Sequence, residues 1–109
     1  MKIFYFNSTH WDREWYLPFQ HYRFRLVQVL NHLIDTMEAD PEYKLFCTDG
    51  QSIVLEDYEE VEPERAEKLR NLIKEGRVLA GPWYVQPDEL IVSGESLIRN
   101  LMMGHRLTQ

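Results

Sequence analysis

The chain has 109 residues, 44% of them apolar and 13% aromatic, which is one small domain with enough apolar material for a real core and is not a disordered tail. Twelve basic against eighteen acidic residues leave a net charge of -6, which argues against adhesion to nucleic acid or anionic membrane surfaces. No apolar run approaches the roughly 20 residues of a spanning helix, the start Met-Lys-Ile-Phe-Tyr-Phe-Asn-Ser turns polar too soon for a signal peptide, and Cys47 has no partner for a disulfide, so the chain is expected to be soluble and cytoplasmic.

Residues 2 to 6, Lys-Ile-Phe-Tyr-Phe, are β-formers in a nearly continuous apolar run, the pattern of a strand covered on both faces. From Pro18 to Ala39, Phe19, Tyr22, Leu26, Leu30, Leu33, Ile34 and Met37 recur in steps that trace one helical stripe, so a long amphipathic helix is predicted. Asp40-Pro41 ends it, because the residue before proline is pushed out of the helical region. Tyr43 to Thr48 reads as a second strand in which Cys47 is a buried residue, and Asp49-Gly50 as the turn that closes it. Residues 52 to 60 suggest a short helix whose acidic run, Glu56-Asp57-Tyr58-Glu59-Glu60, is a solvated face. Pro63 opens a further helix over residues 63 to 75, with Gly76 as its stop. Val78 to Tyr84 gives a third strand broken early by Gly81-Pro82, residues 85 to 92 a loop, and Ser93 the cap of a last helix through Leu97, Ile98, Leu101 and Met102 to about Leu107.

The order βαβααβα predicts parallel strands joined by right-handed crossovers, an α/β layer or part of a barrel. Ligands in such folds sit beyond the carboxyl ends of the strands, where the segments 9 to 16, 48 to 51 and 82 to 89 leave the sheet. His10, Asp12, Asp49, Gln51, Asp88 and Glu89, with Trp15 and Trp83, would share that rim. His10 and Asp12, two residues apart beside a strand end, point the same way and are ligand types that suit zinc. The alternatives are an imidazole bonded to a carboxylate, or a helix cap. Trp15 and Trp83 are candidate sugar platforms, and Trp11 a core residue. Asp49 and Gln51 either bond sugar hydroxyls or serve only the turn. Asp88 and Glu89 suit substrate binding or loop bracing better than acid-base work. His21 and His32 lie eleven residues apart on the long helix, too distant to share a metal, and His105 has no evident partner.

Three separated motifs carry a family resemblance over essentially the whole chain. They are Ser8-Thr9-His10-Trp11-Asp12-Arg13-Glu14-Trp15, then Asp49-Gly50-Gln51 with Leu55-Glu56-Asp57-Tyr58, and finally Gly81-Pro82-Trp83-Tyr84-Val85-Gln86-Pro87-Asp88-Glu89 with Ser93-Gly94-Glu95-Ser96-Leu97-Ile98-Arg99-Asn100. In this the sequence resembles the glycoside hydrolase family 38 α-mannosidases, particularly the bacterial branch that includes mannosylglycerate hydrolases. The resemblance implies an N-terminal catalytic segment, residues 1 to 109, forming the first part of a seven-stranded α/β barrel like that of polysaccharide deacetylases. It further implies that His10 and Asp12 are ligands of a catalytic zinc and that Trp15 stacks on the mannose ring. Retaining hydrolysis of α-mannosides needs two carboxyl groups about 5 to 5.5 Å apart. The family's aspartate nucleophile, also a zinc ligand, belongs to an Asp-Pro/Ser-Phe-Gly type motif that does not occur in these residues, nor is the acid/base among them.

The chain is therefore expected to be a truncated piece, inactive alone, with weak metal affinity and an exposed sheet edge that pairs with another copy. Two other functions compete. A metal-dependent carbohydrate deacetylase would require an Asp-Asp pair and a His-X-X-X-His motif, which are missing. A non-catalytic carbohydrate-binding module would use Trp15 and Trp83 without chemistry.

Overall fold

The computed structural model describes all 109 residues and contains three short strands and four helices. They run β1 (Asn7–Ser8), α1 (Phe19–Ala39), β2 (Phe46–Cys47), α2 (Ile53–Glu59), α3 (Pro63–Lys74), β3 (Val78–Leu79) and α4 (Gly94–Thr108). The predicted order of elements holds. The strands form one parallel sheet in the order β1-β2-β3, with Asn7 opposite Phe46 and Phe46 opposite Val78.

The helices follow from local chemistry. The predicted stripe of α1 is buried along Tyr22, Leu26, Leu30, Leu33, Ile34 and Met37, with Val27 added. Pro63 occupies the first turn of α3, and Gly76 beyond its end sits at φ 72°, where a side chain would be strained. Ser93 caps α4 by accepting a hydrogen bond from the Ser96 N–H at 3.2 Å. One apolar cluster joins α1, α2, α3 and strands β2 and β3, through Ile34, Met37, Phe46, Ile53, Tyr58, Leu69 and Val78. Each of those side chains also removes apolar area from water, which is the main drive for the three-helix packing.

Three expectations need correction. Residues 2 to 6 are not a covered strand: Ile3, Phe4 and Tyr5 are at least 80% exposed, and pairing begins only at Asn7. The register explains this, since continuing it backwards puts residues 2 to 6 beside residues 41 to 45. There Pro41 lacks an N–H and the chain is still turning out of α1. Cys47 lies in β2 as expected but is half-buried rather than buried. The acidic run of α2 is not uniformly solvated, because Asp57 is 5% exposed and faces inward.

Helix α4 packs differently from the others. Of its residues only Gly104 is buried, and Ile98, Met102 and Met103 remain exposed. It touches the segment after β3 so closely that a methyl group on Gly104 would lie 2.1 Å from the Pro82 carbonyl oxygen. The Asn100 side chain completes that contact, accepting from the N–H groups of Tyr84 (2.8 Å) and Val85 (2.9 Å) and donating to the Val85 carbonyl (2.6 Å). Helix α4 thereby fixes the start of the third rim loop.

Candidate functional site

The three loops that leave the carboxyl ends of the strands converge, as the topology requires. Thr9 prolongs the β1–β2 ladder with a bond from its N–H to the Cys47 carbonyl at 3.1 Å. The same register, continued forward, carries His10 to the level of Asp49 and Asp12 to that of Gln51. The Asp49 and Gly50 backbones both turn through positive φ, 65° and 71°, which folds the Asp49 side chain back toward β1. Its Oδ2 stands 2.8 Å from His10 Nδ1 and also accepts the Trp11 N–H at 3.2 Å. Gln51, 3% exposed, donates from Nε2 to the Trp11 carbonyl at 2.6 Å. Asp49 and Gln51 thus hold the Trp11 residue by both of its backbone polar groups.

A second brace secures the residues that follow. Arg13 makes a forked pair with Asp57 of α2, Nε to Oδ2 at 2.7 Å and a terminal nitrogen to Oδ1 at 2.8 Å, and its guanidinium lies 4.7 Å from the centre of the Phe19 ring. Those hydrogen bonds to Asp57 raise the Arg13 pKa above its ordinary value, so its charge is permanent. Beside this pair, Tyr84 donates to Glu56 Oε2 at 2.8 Å. Burial first, and the Glu56 bond second, push the Tyr84 hydroxyl up to about 12. Sequence reasoning assigned no role to Arg13, Glu56, Asp57 or Tyr84. Arg13 and Asp57 stand 44 positions apart, and only the fold connects them.

An open cleft of about 820 Å³ lies among these loops, walled by residues 10 to 14, Gln51 and residues 85 to 89. It brings together His10, Asp12, Gln51, Asp88 and Glu89 of the predicted set. Asp49 is recessed behind His10, with 16% of its side chain exposed against 72% for His10 and 52% for Asp12. Trp15 is off the cleft wall and 76% exposed, while Trp83 is half-buried against Gly50. The walls carry Asp12, Glu14, Asp88 and Glu89, whereas Arg13 is neutralised by Asp57. This wall of the cleft is therefore electronegative, which favours a cation.

The donor chemistry fits part of a metal shell. His10 Nε2 stands 3.9 Å from Asp12 Oδ2, and two ligands of one tetrahedral zinc are roughly 3.4 Å apart, so a small side-chain rotation would let both reach one ion. The residues present fit two positions and no more. No group of three or more His, Cys, Asp or Glu side chains is close enough to hold a metal.

A parallel α/β unit whose polar groups meet in an open acidic cleft beyond the strand ends has its polar chemistry where α/β folds generally place their sites. Residues 1–109 match the glycosyl hydrolases family 38 N-terminal domain. The chain is 42% identical over 103 residues to a protein of Halalkalibacterium halodurans named "Putative mannosylglycerate hydrolase", covering 94% of the chain and 12% of that relative. It is 32% identical over 109 residues to an alpha-mannosidase of Saccharomyces cerevisiae, covering 96% of the chain and 10% of the relative. The crystal structure of an alpha-mannosidase from Enterococcus faecalis V583 superposes with a TM-score of 0.90 at 39% identity, over 95% of this chain and 12% of that one. The chain belongs to glycoside hydrolase family 38, as the N-terminal domain of such enzymes. It spans only about a tenth of the length of the relatives it matches.

Proposed function

We propose that this domain forms one wall of the active site of a zinc-dependent, retaining α-mannosidase that hydrolyses α-mannosides in the cytoplasm. The observation that carries this is the His10–Asp12 pair on the wall of the cleft, with His10 Nδ1 2.8 Å from Asp49 Oδ2 and Nε2 turned toward Asp12. Histidine ligands characteristically hand their second nitrogen to a carboxylate in this way. His10 Nε2 and Asp12 would hold the ion, and the remaining ligands, the carboxylate nucleophile and the acid/base would come from later parts of the protein. Bound zinc supplies a template for sugar hydroxyls and charge stabilisation for an oxocarbenium-like transition state.

The domain's own residues bind and orient. Asp88 lines the cleft where it can meet sugar hydroxyls, Gln51, 3% exposed, braces the Trp11 carbonyl behind it, and the exposed ring of Trp15 offers an apolar face to a pyranose. Half-buried Trp83 opens the loop that carries Asp88. In the full-length protein the three-stranded sheet continues into the seven-stranded α/β barrel, which covers the apolar residues left bare here. Mannosylglycerate and mannose-containing oligosaccharides are the substrates to assay.

In the full-length protein, His10→Ala and Asp12→Ala are each expected to lower zinc content and to reduce α-mannosidase turnover by at least about 100-fold. Wild-type zinc content in both variants would remove the ligand assignment. The 109-residue chain alone is expected to show no turnover, and measurable mannoside hydrolysis by it would refute the division of labour proposed here.

A further inference from the structure

We propose that Asp49 is a positioning residue for a metal ligand rather than a sugar contact: its carboxylate fixes the His10 ring so that Nε2 faces Asp12 across the cleft. The inference rests on the zinc reading above and assigns a residue that the reading leaves open.

Four observations point the same way. First, Asp49 Oδ2 accepts the Trp11 N–H at 3.2 Å and stands 2.8 Å from His10 Nδ1, so this oxygen is committed to the neighbouring loop. Second, a carboxylate is an acceptor only, so Nδ1 beside it is the ring nitrogen suited to carry a proton and Nε2 the one left to meet a cation. Third, Asp49 is recessed behind its partner, its side chain 16% exposed beside the 72% of His10. Fourth, Asp49 itself adopts φ 65°, a conformation most side chains avoid, and Gly50 follows at φ 71°. That pair of left-handed residues is what doubles the side chain back under His10, and Gln51 locks the result by holding the Trp11 carbonyl from the other side at 2.6 Å.

The test uses Asp49→Asn and Asp49→Gly in the full-length protein, since both replacements accept the positive φ and leave the turn intact. Zinc affinity is measured by competition with a chromophoric chelator, and KM for an α-mannoside at saturating zinc. Both variants are expected to bind zinc about 10- to 100-fold more weakly, with KM at saturating zinc within about twofold of wild type. Wild-type zinc affinity in the Asp49 variants, while His10→Ala weakens binding, overturns the positioning role and leaves the zinc reading standing. A raised KM at saturating zinc with unaltered zinc affinity also overturns it, in favour of sugar contact. Wild-type zinc affinity in His10→Ala as well overturns both.

Discussion

Replacing Arg13 by glutamine should destabilise the domain more than replacing its partner Asp57 by asparagine, although each removes the same ion pair. The two ends of the pair differ in exposure: 38% of the Arg13 side chain and 7% of the Asp57 side chain reach solvent. Breaking a fully buried pair costs about 3 to 5 kcal/mol, because one charge is left without a partner. Water can approach this pair from the arginine side, which brings the expected loss for Arg13→Gln to about 2 kcal/mol, plus roughly 0.5 kcal/mol for the contact with the Phe19 ring. In Asp57→Asn the guanidinium can swing into solvent and the amide still accepts one hydrogen bond, so about 1 kcal/mol is lost. Urea unfolding of the 109-residue chain, followed by far-ultraviolet circular dichroism, measures both. The double variant should fall short of the sum by about 1 kcal/mol, since the second change removes the charge that the first left unpaired. Equal single losses, or a double variant that is simply additive, would show that Asp57 reaches water in the folded chain and that Arg13 does not anchor its loop.

Two other outcomes follow from the packing around the third loop. Gly104→Ala would place its methyl 2.1 Å from the Pro82 oxygen, 2.6 Å from the Trp83 carbonyl carbon and 2.7 Å from the Tyr84 nitrogen, all backbone atoms that cannot swing aside. Helix α4 must then back away and loosen the Asn100 bonds, a loss of about 3 kcal/mol by urea midpoint, whereas Gly94→Ala, with nothing near it, should stay within about 0.5 kcal/mol. Tyr84, raised from 10.0 to about 12, is protonated in both folded and unfolded chains below pH 10. Its contribution is complete there and is lost as pH rises through 12, up to about 2 kcal/mol in all. Ultraviolet titration of wild type against Tyr84→Phe should show one tyrosine step missing at the alkaline end, and a missing step near pH 10 would contradict the burial.

Much of the architecture was legible because helices announce themselves locally. The stripe from Tyr22 to Met37, Pro63 and Gly76 around α3, and Ser93 ahead of α4 all encode structure within a few positions of where they act. Strands do not. Residues 2 to 6 have every propensity for a ladder and none of the partners, since pairing is decided by what lies at positions 41 to 45. At the site, the residue types and their place beyond the strand ends were readable, but the division between those facing the cleft and those holding others was not. Asp49 looks in sequence like an ordinary turn residue. Only the register of β1 against β2 puts it under His10. Asp57 likewise sat in an acidic run with no sign of which carboxylate would meet an arginine 44 positions earlier.

The uncovered ribbon at residues 2 to 6 has a consequence for how the isolated chain behaves in solution. Exposed, unpaired β-forming residues attract one another, whereas a net charge of -6 holds molecules of 13.1 kDa apart. The attraction is short-ranged and indifferent to ions, but the repulsion fades over about 10 Å at 0.1 M salt and about 3 Å at 1 M. Light scattering is therefore expected to show association of the chain rising with ionic strength, with dilute buffer keeping it dispersed.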